Sequence, residues 1–357
     1  MGIATTTSTR WWHPNSQNGE VTCTLCPREC RIREGDRGFC FVRANVDGHL
    51  ELTTYGRSSG FCIDPIEKKP LNHFLPGTPV LSLGTAGCNL GCQFCQNWDI
   101  SKSQTMDTLA DIATPEAIVA AAKRTGCRSI AFTYNDPTIW AEYAIDIAKI
   151  ARAEGIATVA VTAGYINPEP RREFYQWMDA ANIDLKGFTD KFYRKLAKGR
   201  LEPVLETLNY LKHETNVWFE ITTLLIPGEN DSPEEIDALC DWIVTNLGSD
   251  VPIHFTAFHP DYKLRHLAPT PKETLKRARE QAIAAGINFA YVGNVYDVRQ
   301  ESTYCPNCGK VLIERDWYEL GQYNLNGNHC GFCSQEIPGV FEEKAGNWGA
   351  KRLPIRV

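Results

Sequence analysis

Three cysteines lie close together in the segment Gly84-Thr85-Ala86-Gly87-Cys88-Asn89-Leu90-Gly91-Cys92-Gln93-Phe94-Cys95-Gln96-Asn97-Trp98. This segment, the cysteine loop, follows the apolar run Val80-Leu81-Ser82-Leu83, which predicts a buried strand. Three thiolates do not complete a tetrahedral zinc site and leave a four-iron cluster one protein ligand short. The spacing therefore predicts a metal centre with one open position. A redox Cys-x-x-Cys pair would use Cys92 and Cys95 but leave Cys88 without a role.

The composition is that of an ordinary soluble protein of 357 residues, 43% hydrophobic and 22% charged. A net charge of −6 gives no electrostatic footprint for nucleic acid, and no apolar run approaches the roughly 20 residues that span a bilayer. The threonine-rich start lacks the apolar core of a signal peptide. We therefore expect a cytoplasmic protein with neither nucleic acid nor membrane as a partner.

Eleven of the fourteen cysteines fall into three tight groups. In a reducing compartment, grouped thiols predict metal ligands rather than disulfides. The ungrouped Cys62, Cys127 and Cys240 are expected to be inert thiols of the core.

The N-terminal region divides into an expected flexible lead-in, residues 1–20, and a cysteine-rich module, residues 21–76. Four thiols of this module are predicted to bind a metal, either zinc or an auxiliary iron–sulfur cluster: Cys23, Cys26, Cys30 and Cys40. The later stretch Asp64-Pro65-Ile66-Glu67-Lys68-Lys69-Pro70 is rich in proline and charge, which predicts an exposed rim near the cysteine loop. Lys68 and Lys69 are expected to be solvated, with contact to an anion as the alternative.

Residues 77–300 alternate between apolar runs and amphipathic helical patterns. After Val80 the apolar runs recur at 127–134, 156–162, 181–185, 217–225, 252–258 and 287–292. Buried strands that alternate with helices predict an α/β fold with a parallel sheet. Six or seven strands fit in this span, so we predict a partial parallel (β/α)6 TIM-like barrel rather than a closed barrel of eight.

Capping residues mark three helix starts. Thr114-Pro115 places a capping threonine before a first-turn proline, while Ser232-x-x-Glu235 and Thr270-x-x-Glu273 fit the capping box. Polar residues follow the predicted strands at 133–137, 162–165, 184–186, 227–230 and 293–294. Because active sites of parallel barrels lie at the carboxyl ends of their strands, we expect these residues to face the cysteine loop.

The C-terminal region contains two Cys-x-x-Cys knuckles, Cys305-Pro-Asn-Cys308 and Cys330-Gly-Phe-Cys333. Four thiolates complete a tetrahedron, which suits zinc, or less often a single iron. The sequence predicts a structural, zinc-ribbon-like module over residues 301–340, followed by a tail over residues 341–357.

The cysteine loop resembles the signature of radical S-adenosylmethionine (SAM) enzymes. The resemblance implies that Cys88, Cys92 and Cys95 each bind one iron of a [4Fe–4S] cluster. It also implies that SAM chelates the fourth iron and that Phe94 lies against the adenine. Several further segments together resemble the AmmeMemoRadiSam group of this superfamily: Cys23-Thr-Leu-Cys26-Pro, Asp64 to Pro70, Asn182-Ile-Asp-Leu-Lys186 and the two terminal knuckles. That group is similar to the activating enzymes of pyruvate formate-lyase and is encoded beside Memo-like and AMMECR-type proteins.

Carried over by this resemblance, several residues are expected to contact SAM. Asn135 and Asp136 stand where the family has Asn-Glu, and Thr162 begins a Thr-Ala-Gly stretch where Thr-Asn-Gly is usual. Asp184 and Lys186 match the Asp-x-Lys of the activases, with a buried ion pair as the alternative. His254 matches a histidine of the sixth strand near SAM, with a core histidine as the alternative.

These features predict a radical SAM oxidoreductase that depends on a reducing electron donor. It would cleave SAM to a 5′-deoxyadenosyl radical, which abstracts hydrogen from a small-molecule substrate, and Memo-like and AMMECR-type proteins are its candidate partners. One alternative is an activase that installs a glycyl radical on a partner protein. An alternative of another class is a metal-binding scaffold or redox sensor without turnover.

Overall fold

The computed structural model describes residues 7–15, 19–102 and 111–357. Its N-terminal part consists of short antiparallel strands, arranged in the sheets β2-β3-β4 and β1-β6-β5, and of one longer strand that leads into the barrel. Their bounds are β1 (Thr7–Ser8), β2 (Trp12–Pro14), β3 (Val21–Cys23), β4 (Arg31–Ile32), β5 (Arg43–Val46), β6 (His49–Leu52) and β7 (Arg57–Pro65). A single 3₁₀ turn, Ile66–Lys68, follows β7.

The segment predicted as a flexible lead-in differs from that expectation over residues 7–15. Thr7 pairs with Leu52, and Trp12 pairs with Cys23. The physical reason is apolar burial, because Trp11 is only 4% exposed.

The central sheet contains seven parallel strands in the order β8-β10-β11-β12-β13-β14-β15, with β7 antiparallel to β8. Its elements are β8 (Pro79–Gly84), α1 (Trp98–Ser101), β9 (Asp111–Ile112), α2 (Pro115–Arg124), β10 (Ser129–Phe132), α3 (Ala141–Ala153), β11 (Ala157–Thr162), α4 (Pro168–Tyr175), β12 (Ala180–Asp184), α5 (Asp190–Phe192), α6 (Glu202–Glu214), β13 (Trp218–Leu225), α7 (Pro233–Leu247), β14 (Ile253–Ala257), α8 (Lys272–Ala284) and β15 (Ala290–Gly293). A 3₁₀ helix, Pro137–Trp140, precedes α3, and a π-helix, Tyr193–Ala197, follows α5.

This order is consistent with the predicted partial TIM-like barrel. Each of the six connections between successive parallel strands contains at least one helix, and β15 is the seventh strand, at the edge of the sheet. All four residues of β10 and all five of β14 are buried, as expected for strands covered on both faces. Among the helices that the structure describes, none has the length and apolar character to cross a bilayer.

Two of the three predicted caps are confirmed. Thr114 Oγ1 accepts from the Ala117 N–H at 3.2 Å, and Ser232 Oγ accepts from the Glu235 N–H at 3.2 Å. The capping box at Thr270 is wrong. Its hydroxyl instead donates to the Leu225 carbonyl at 2.6 Å and accepts from the Phe258 N–H at 2.8 Å, so α8 begins without it.

The C-terminal residues form a small module against β15. They comprise α9 (Val298–Glu301), β16 (Thr303–Tyr304), β17 (Val311–Asp316), β18 (Glu319–Tyr323), β19 (Leu325–Asn326), β20 (His329–Cys330) and β21 (Leu353–Pro354). Leu312, Ile313 and Ile337 of this module share one hydrophobic cluster with Phe289 and Tyr291. The tail then returns to the other end of the sheet, where β21 pairs with β7.

A buried ion pair joins the N-terminal module to the barrel. Arg43 of β5 and Glu142 of α3 form a two-pronged contact, and their side chains are 1% and 5% exposed. The Arg43 Nε also donates to the Ile139 carbonyl at 3.0 Å. Because neither charge can reach water, each depends on the other.

The replacement Glu142→Gln is expected to lower the free energy of unfolding by about 3 to 5 kcal/mol, since it leaves a buried guanidinium without its counter-charge. Urea denaturation of anaerobically purified protein measures this loss. The matched control is Glu154→Gln, which breaks the exposed pair with Lys123 and should cost less than about 1 kcal/mol. Equal losses in the two variants would contradict the assigned role of Arg43.

A neutral histidine, His73, links the C-terminal module to the sheet by two hydrogen bonds. His73 Nδ1 lies 2.7 Å from the Pro338 carbonyl, to which it donates, and Nε2 lies 2.6 Å from the Tyr291 hydroxyl, from which it accepts. Burial lowers the pKa of His73 from 6.5 to about 4. Both bonds therefore persist in the neutral form across the physiological range.

His73 should make stability depend on pH below neutrality. As pH falls from 6.5 towards about 4, the unfolded chain binds a proton there that the folded chain does not, so the free energy of unfolding should fall. The loss should reach about 3 kcal/mol. Urea denaturation at several pH values should give a flatter profile for His73→Gln than for the wild type over this window. Identical slopes would show that His73 protonates at its ordinary pH.

Candidate active site

The cysteine loop is held in place by Asn135, which follows β10. Asn135 Oδ1 accepts from the Thr85 N–H at 3.0 Å, and its Nδ2 donates to the Gly87 carbonyl at 2.9 Å. Gly87 has a φ of +82°, and a Cβ at this position would lie 2.0 Å from the Cys40 carbonyl oxygen. Only glycine fits there, so both the turn and the close approach of the N-terminal module require it.

The second half of the loop is bound by the π-helix. The N–H groups of Gly91 and Gln93 donate to the carbonyls of Ala197 and Leu196 at 2.8 and 2.9 Å. π-Helical turns leave carbonyls outside the regular helical pattern and occur often at functional sites. These contacts fix the backbone on both sides of Cys92.

The three loop thiols line one large cavity at the carboxyl ends of the parallel strands. Its volume is about 480 Å³, which is within the usual range for cofactor sites. Burial raises the pKa of the Cys92 thiol to about 12, against the opposing charge of Lys186. A metal bound by this thiol must therefore displace a proton.

Most of the residues predicted to contact SAM also line this cavity, namely Phe94, Asn135, Asp136, Thr162, Asp184 and Lys186. Lys186 Nζ lies 2.9 Å from Asp184 Oδ2. Burial lowers the pKa of Lys186, but the charges of Asp184 and Cys92 raise it more, so the net shift is upwards. Lys186 is therefore a stable cation at the wall of the cavity.

Asp136 organises the neighbouring strand ends. Its Oδ1 accepts from the Thr138 N–H at 3.0 Å and from the Thr162 hydroxyl at 2.9 Å, while its Oδ2 accepts from the Ala163 N–H at 3.0 Å. An ionised carboxylate has about four acceptor positions, so Oδ2 retains capacity for one more donor. The Thr162 hydroxyl donates to Asp136 and accepts from the Gly164 N–H at 3.1 Å.

His254 is placed apart from these residues. It lines a second cavity, which has a volume of about 90 Å³, and its Nε2 lies 2.7 Å from Glu220 Oε2. Burial raises the pKa of Glu220, but its bond to His254 and the charge of that histidine lower it more. Glu220 also accepts from the backbone N–H groups of Asn72 and His73, at 3.0 and 2.7 Å. The geometry matches the alternative of a satisfied, buried histidine.

The two cavities adjoin each other. Both are lined by Lys68, Pro70, Thr256, Asn294 and Tyr318. Tyr318 belongs to the C-terminal module, so this module forms part of the wall. Arg352, from the C-terminal tail, also lines the larger cavity.

The stretch predicted as an exposed rim is largely buried. Asp64 is 0% exposed and Lys69 only 3%, and Lys69 Nζ lies 2.8 Å from Asp64 Oδ2. Lys68 Nζ bonds the other carboxylate oxygen at 3.0 Å. Burial lowers the pKa of Lys69 to about 8 although Asp64 opposes this shift. The prediction of solvated lysines is wrong, because the spacing of four and five residues brings both amines onto one carboxylate.

The C-terminal knuckles bring four sulfurs together. The ligand atoms of Cys305, Cys308, Cys330 and Cys333 all lie within 4.8 Å of one another. Two of their sulfur–sulfur distances are 3.6 and 3.8 Å. Tetrahedral bonds of about 2.3 Å to zinc place two sulfurs about 3.8 Å apart, so this arrangement fits a single tetrahedral ion.

The remaining cysteines are also placed by the structure. The N-terminal four, Cys23, Cys26, Cys30 and Cys40, line a third, small cavity behind the cysteine loop. The ungrouped Cys62, Cys127 and Cys240 are buried, as expected of core thiols.

Comparison with known proteins agrees with this site. A family model described as the radical SAM superfamily matches residues 82–243, which include the cysteine loop. The chain is 44% identical to the uncharacterized protein MJ0808 of Methanocaldococcus jannaschii over 322 residues, 90% of this chain and 96% of that protein. It is 24% identical to the pyruvate formate-lyase-activating enzyme of Clostridium pasteurianum over 208 residues, 54% of this chain and 84% of that enzyme.

Among solved structures, a radical SAM methyltransferase from Sphaerobacter thermophilus aligns with 87% of this chain and 82% of its own, at 16% identity and a TM-score of 0.48. That likeness is too distant to inform function. The family model and the sequence relatives agree with the position of the three thiols at the strand ends. Residues 82–243 therefore form a radical SAM domain, and the chain is similar to the pyruvate formate-lyase-activating enzymes.

Proposed function

We propose that the protein is a radical SAM enzyme whose cluster is bound by Cys88, Cys92 and Cys95 and whose SAM lies in the large cavity. The observation that carries this proposal is the meeting of these three thiols with a carboxylate and an ammonium group in one cavity at the strand ends. Membership of the superfamily implies an enzyme that uses a [4Fe–4S] cluster and SAM. The donor set fits, since three thiolates leave one iron for SAM.

Bound there, the reduced cluster would supply the electron that cleaves SAM into methionine and a 5′-deoxyadenosyl radical. The protein orients SAM for this step. Lys186 would attract the SAM carboxylate, and the free acceptor position on Asp136 Oδ2 would accept a hydrogen bond from the SAM ammonium. Phe94, buried against Phe192, offers an apolar face for the adenine. Burial of Phe94 and Asp136 would help to keep water from the reacting atoms.

The replacement Cys88→Ala should remove the part of the iron–sulfur absorbance that comes from the loop cluster and should abolish the reductive cleavage of SAM. Three thiols bind three of the irons, so the loss of one leaves an unstable cluster. Production of 5′-deoxyadenosine under dithionite, in protein reconstituted without oxygen, is the measurement. Cys240→Ala removes a buried thiol of α7 and is the matched control, expected to retain activity. Undiminished cleavage by Cys88→Ala would refute the proposed active site, whereas the absence of cleavage by the reconstituted wild type would leave the metal-binding scaffold or redox sensor.

For the substrate we propose a small polar molecule that reaches from the large cavity into the smaller one. Glu67 and Arg315 line the smaller cavity and are both buried. Among the described residues, Glu67 Oε2 and Arg315 Nε have no hydrogen-bond partner. The remaining Arg315 nitrogens donate to Thr303 Oγ1 and to the Asn72 carbonyl, both at 2.7 Å. One donor beside one acceptor suits a hydroxyl or carboxamide group.

A second candidate function is the activation of a partner protein by formation of a glycyl radical. The similarity to a pyruvate formate-lyase-activating enzyme favours it. The size of the smaller cavity favours the small molecule, because its volume of about 90 Å³ is far below the 480 Å³ of the larger cavity. We also propose that the C-terminal module binds zinc, that a reducing donor supplies the electron, and that Memo-like or AMMECR-type proteins are partners.

A low-molecular-mass filtrate of cell extract should stimulate SAM cleavage by the wild type. Arg315→Gln should raise the amount of filtrate needed for half-maximal stimulation at least about tenfold, since hydrogen bonds to a charged group contribute about 1.5 to 3 kcal/mol. The matched control is Arg128→Gln, which breaks an exposed pair with Glu342. Circular dichroism and iron content show whether each variant is folded.

The alternative predicts a different outcome. With glycyl-radical enzymes in place of the filtrate, electron paramagnetic resonance would detect a glycine-centred signal. That signal, together with a filtrate that has no effect, would replace the small-molecule substrate with a protein.

A further inference from the structure

The four N-terminal thiols surround a small apolar cavity that the proposed function does not use. Cys23 ends β3, Cys26 and Cys30 lie in the turn before β4, and Cys40 precedes β5. Leu25, Ile32 and Ile139 also line this cavity. Four thiols that converge on a cavity from separate parts of a small module indicate a metal site.

The spacing of these thiols differs from that of the C-terminal four. Among the described residues, the C-terminal cysteines are the only group of three or more potential metal ligands whose atoms all lie within 4.8 Å of one another. The N-terminal thiols do not meet this distance, and neither do the three of the cysteine loop. A single zinc ion draws its sulfurs to about 3.8 Å. The sulfurs of a polynuclear cluster lie farther apart, because each binds a different iron.

The residues around the four N-terminal thiols favour an iron–sulfur cluster that is shielded from water. Arg43 is 1% exposed and lies within electrostatic reach of Cys23 and Cys40. Its guanidinium, which is paired with Glu142, also lies beside these thiols, where its charge favours their thiolate forms. Apolar residues and nearby charges of this kind tune the potential of an iron–sulfur cluster.

The N-terminal cavity lies directly behind the cysteine loop. Asn89, the neighbour of Cys88, lines it. Arg28 Nε donates to the Asn89 carbonyl, while Asn89 Nδ2 donates to the Tyr165 carbonyl at 2.8 Å. On the other side, the Cys40 carbonyl packs against Gly87. A single layer of backbone thus separates the two groups of thiols.

We propose that Cys23, Cys26, Cys30 and Cys40 bind an iron–sulfur cluster, not zinc, and that this cluster is a second one-electron centre behind the cysteine loop. With four protein thiolates it has no open iron, so it exchanges electrons without binding a substrate. An external low-potential donor loses one electron and the cluster gains it, and no bond forms or breaks. The site stands on its own thiols, and only its service to the active site rests on the proposed function.

The test removes the loop cluster and asks what metal remains. In protein with Cys88, Cys92 and Cys95 all changed to Ala, purified and reconstituted without oxygen, we expect about four irons, four sulfides and one zinc per chain. Dithionite should bleach the remaining absorbance and produce an electron paramagnetic resonance signal. Two zincs and no iron would overturn the proposal while leaving the loop cluster of the wild type untouched.

Two further variants assign the metals to their sites. Adding Cys26→Ser and Cys30→Ser to the triple variant should remove the iron, whereas adding Cys330→Ser should remove only the zinc. If the triple variant does not fold, the same pair of serines in the wild type should halve the iron, from about eight to about four per chain. The signal that changes on addition of SAM should persist. Unchanged iron in the serine variant would refute the N-terminal cluster, whereas a SAM-insensitive signal in the wild type would refute the proposed function instead.

Discussion

The site depends on the hydrogen bonds that the Asn135 side chain makes with the backbone of the cysteine loop. One side chain accepts from Thr85 and donates to Gly87, and so joins the end of β10 to the backbone just before Cys88. Because the amide has both a donor and an acceptor, it replaces the strand pairing that ends there. Without it, the loop would have no fixed position relative to the strand ends that carry Asp136 and Lys186.

Three charged groups, Asp64, Glu220 and Lys186, are stabilised in different ways. Asp64 is fully buried and is neutralised by two lysines, while Glu220 is buried beside His254 and two backbone N–H groups. Buried charges of this kind persist only where partners meet them. Lys186 is different, since its pair with Asp184 stands at the wall of the large cavity. An ion pair at such a wall can exchange part of its mutual contact for a zwitterionic ligand.

The three groups of thiols illustrate how spacing selects a metal. The C-terminal sulfurs are close enough to share one tetrahedral ion. Those of the cysteine loop line a large cavity and provide only three ligands. Those of the N-terminal module are four in number but lie farther apart than the C-terminal four. The number of ligands determines whether a position is open, and the distance between sulfurs determines whether one metal or several fit.

Local sequence determined the elements and the chemistry of the loop. The apolar runs predicted the strands of the parallel sheet, two of three capping residues were identified correctly, and Cys88, Cys92 and Cys95 indicated an incomplete metal site, because each of these signals depends on neighbours within a few positions. Only the tertiary structure decided which polar groups meet. It paired Thr270 with Leu225 and Phe258, buried Asp64 with its lysines, and placed Arg315 beside Glu67 in a cavity that no local pattern indicates. These partners are distant along the chain or hidden by burial, and their placement follows from the packing of the whole barrel rather than from local preference.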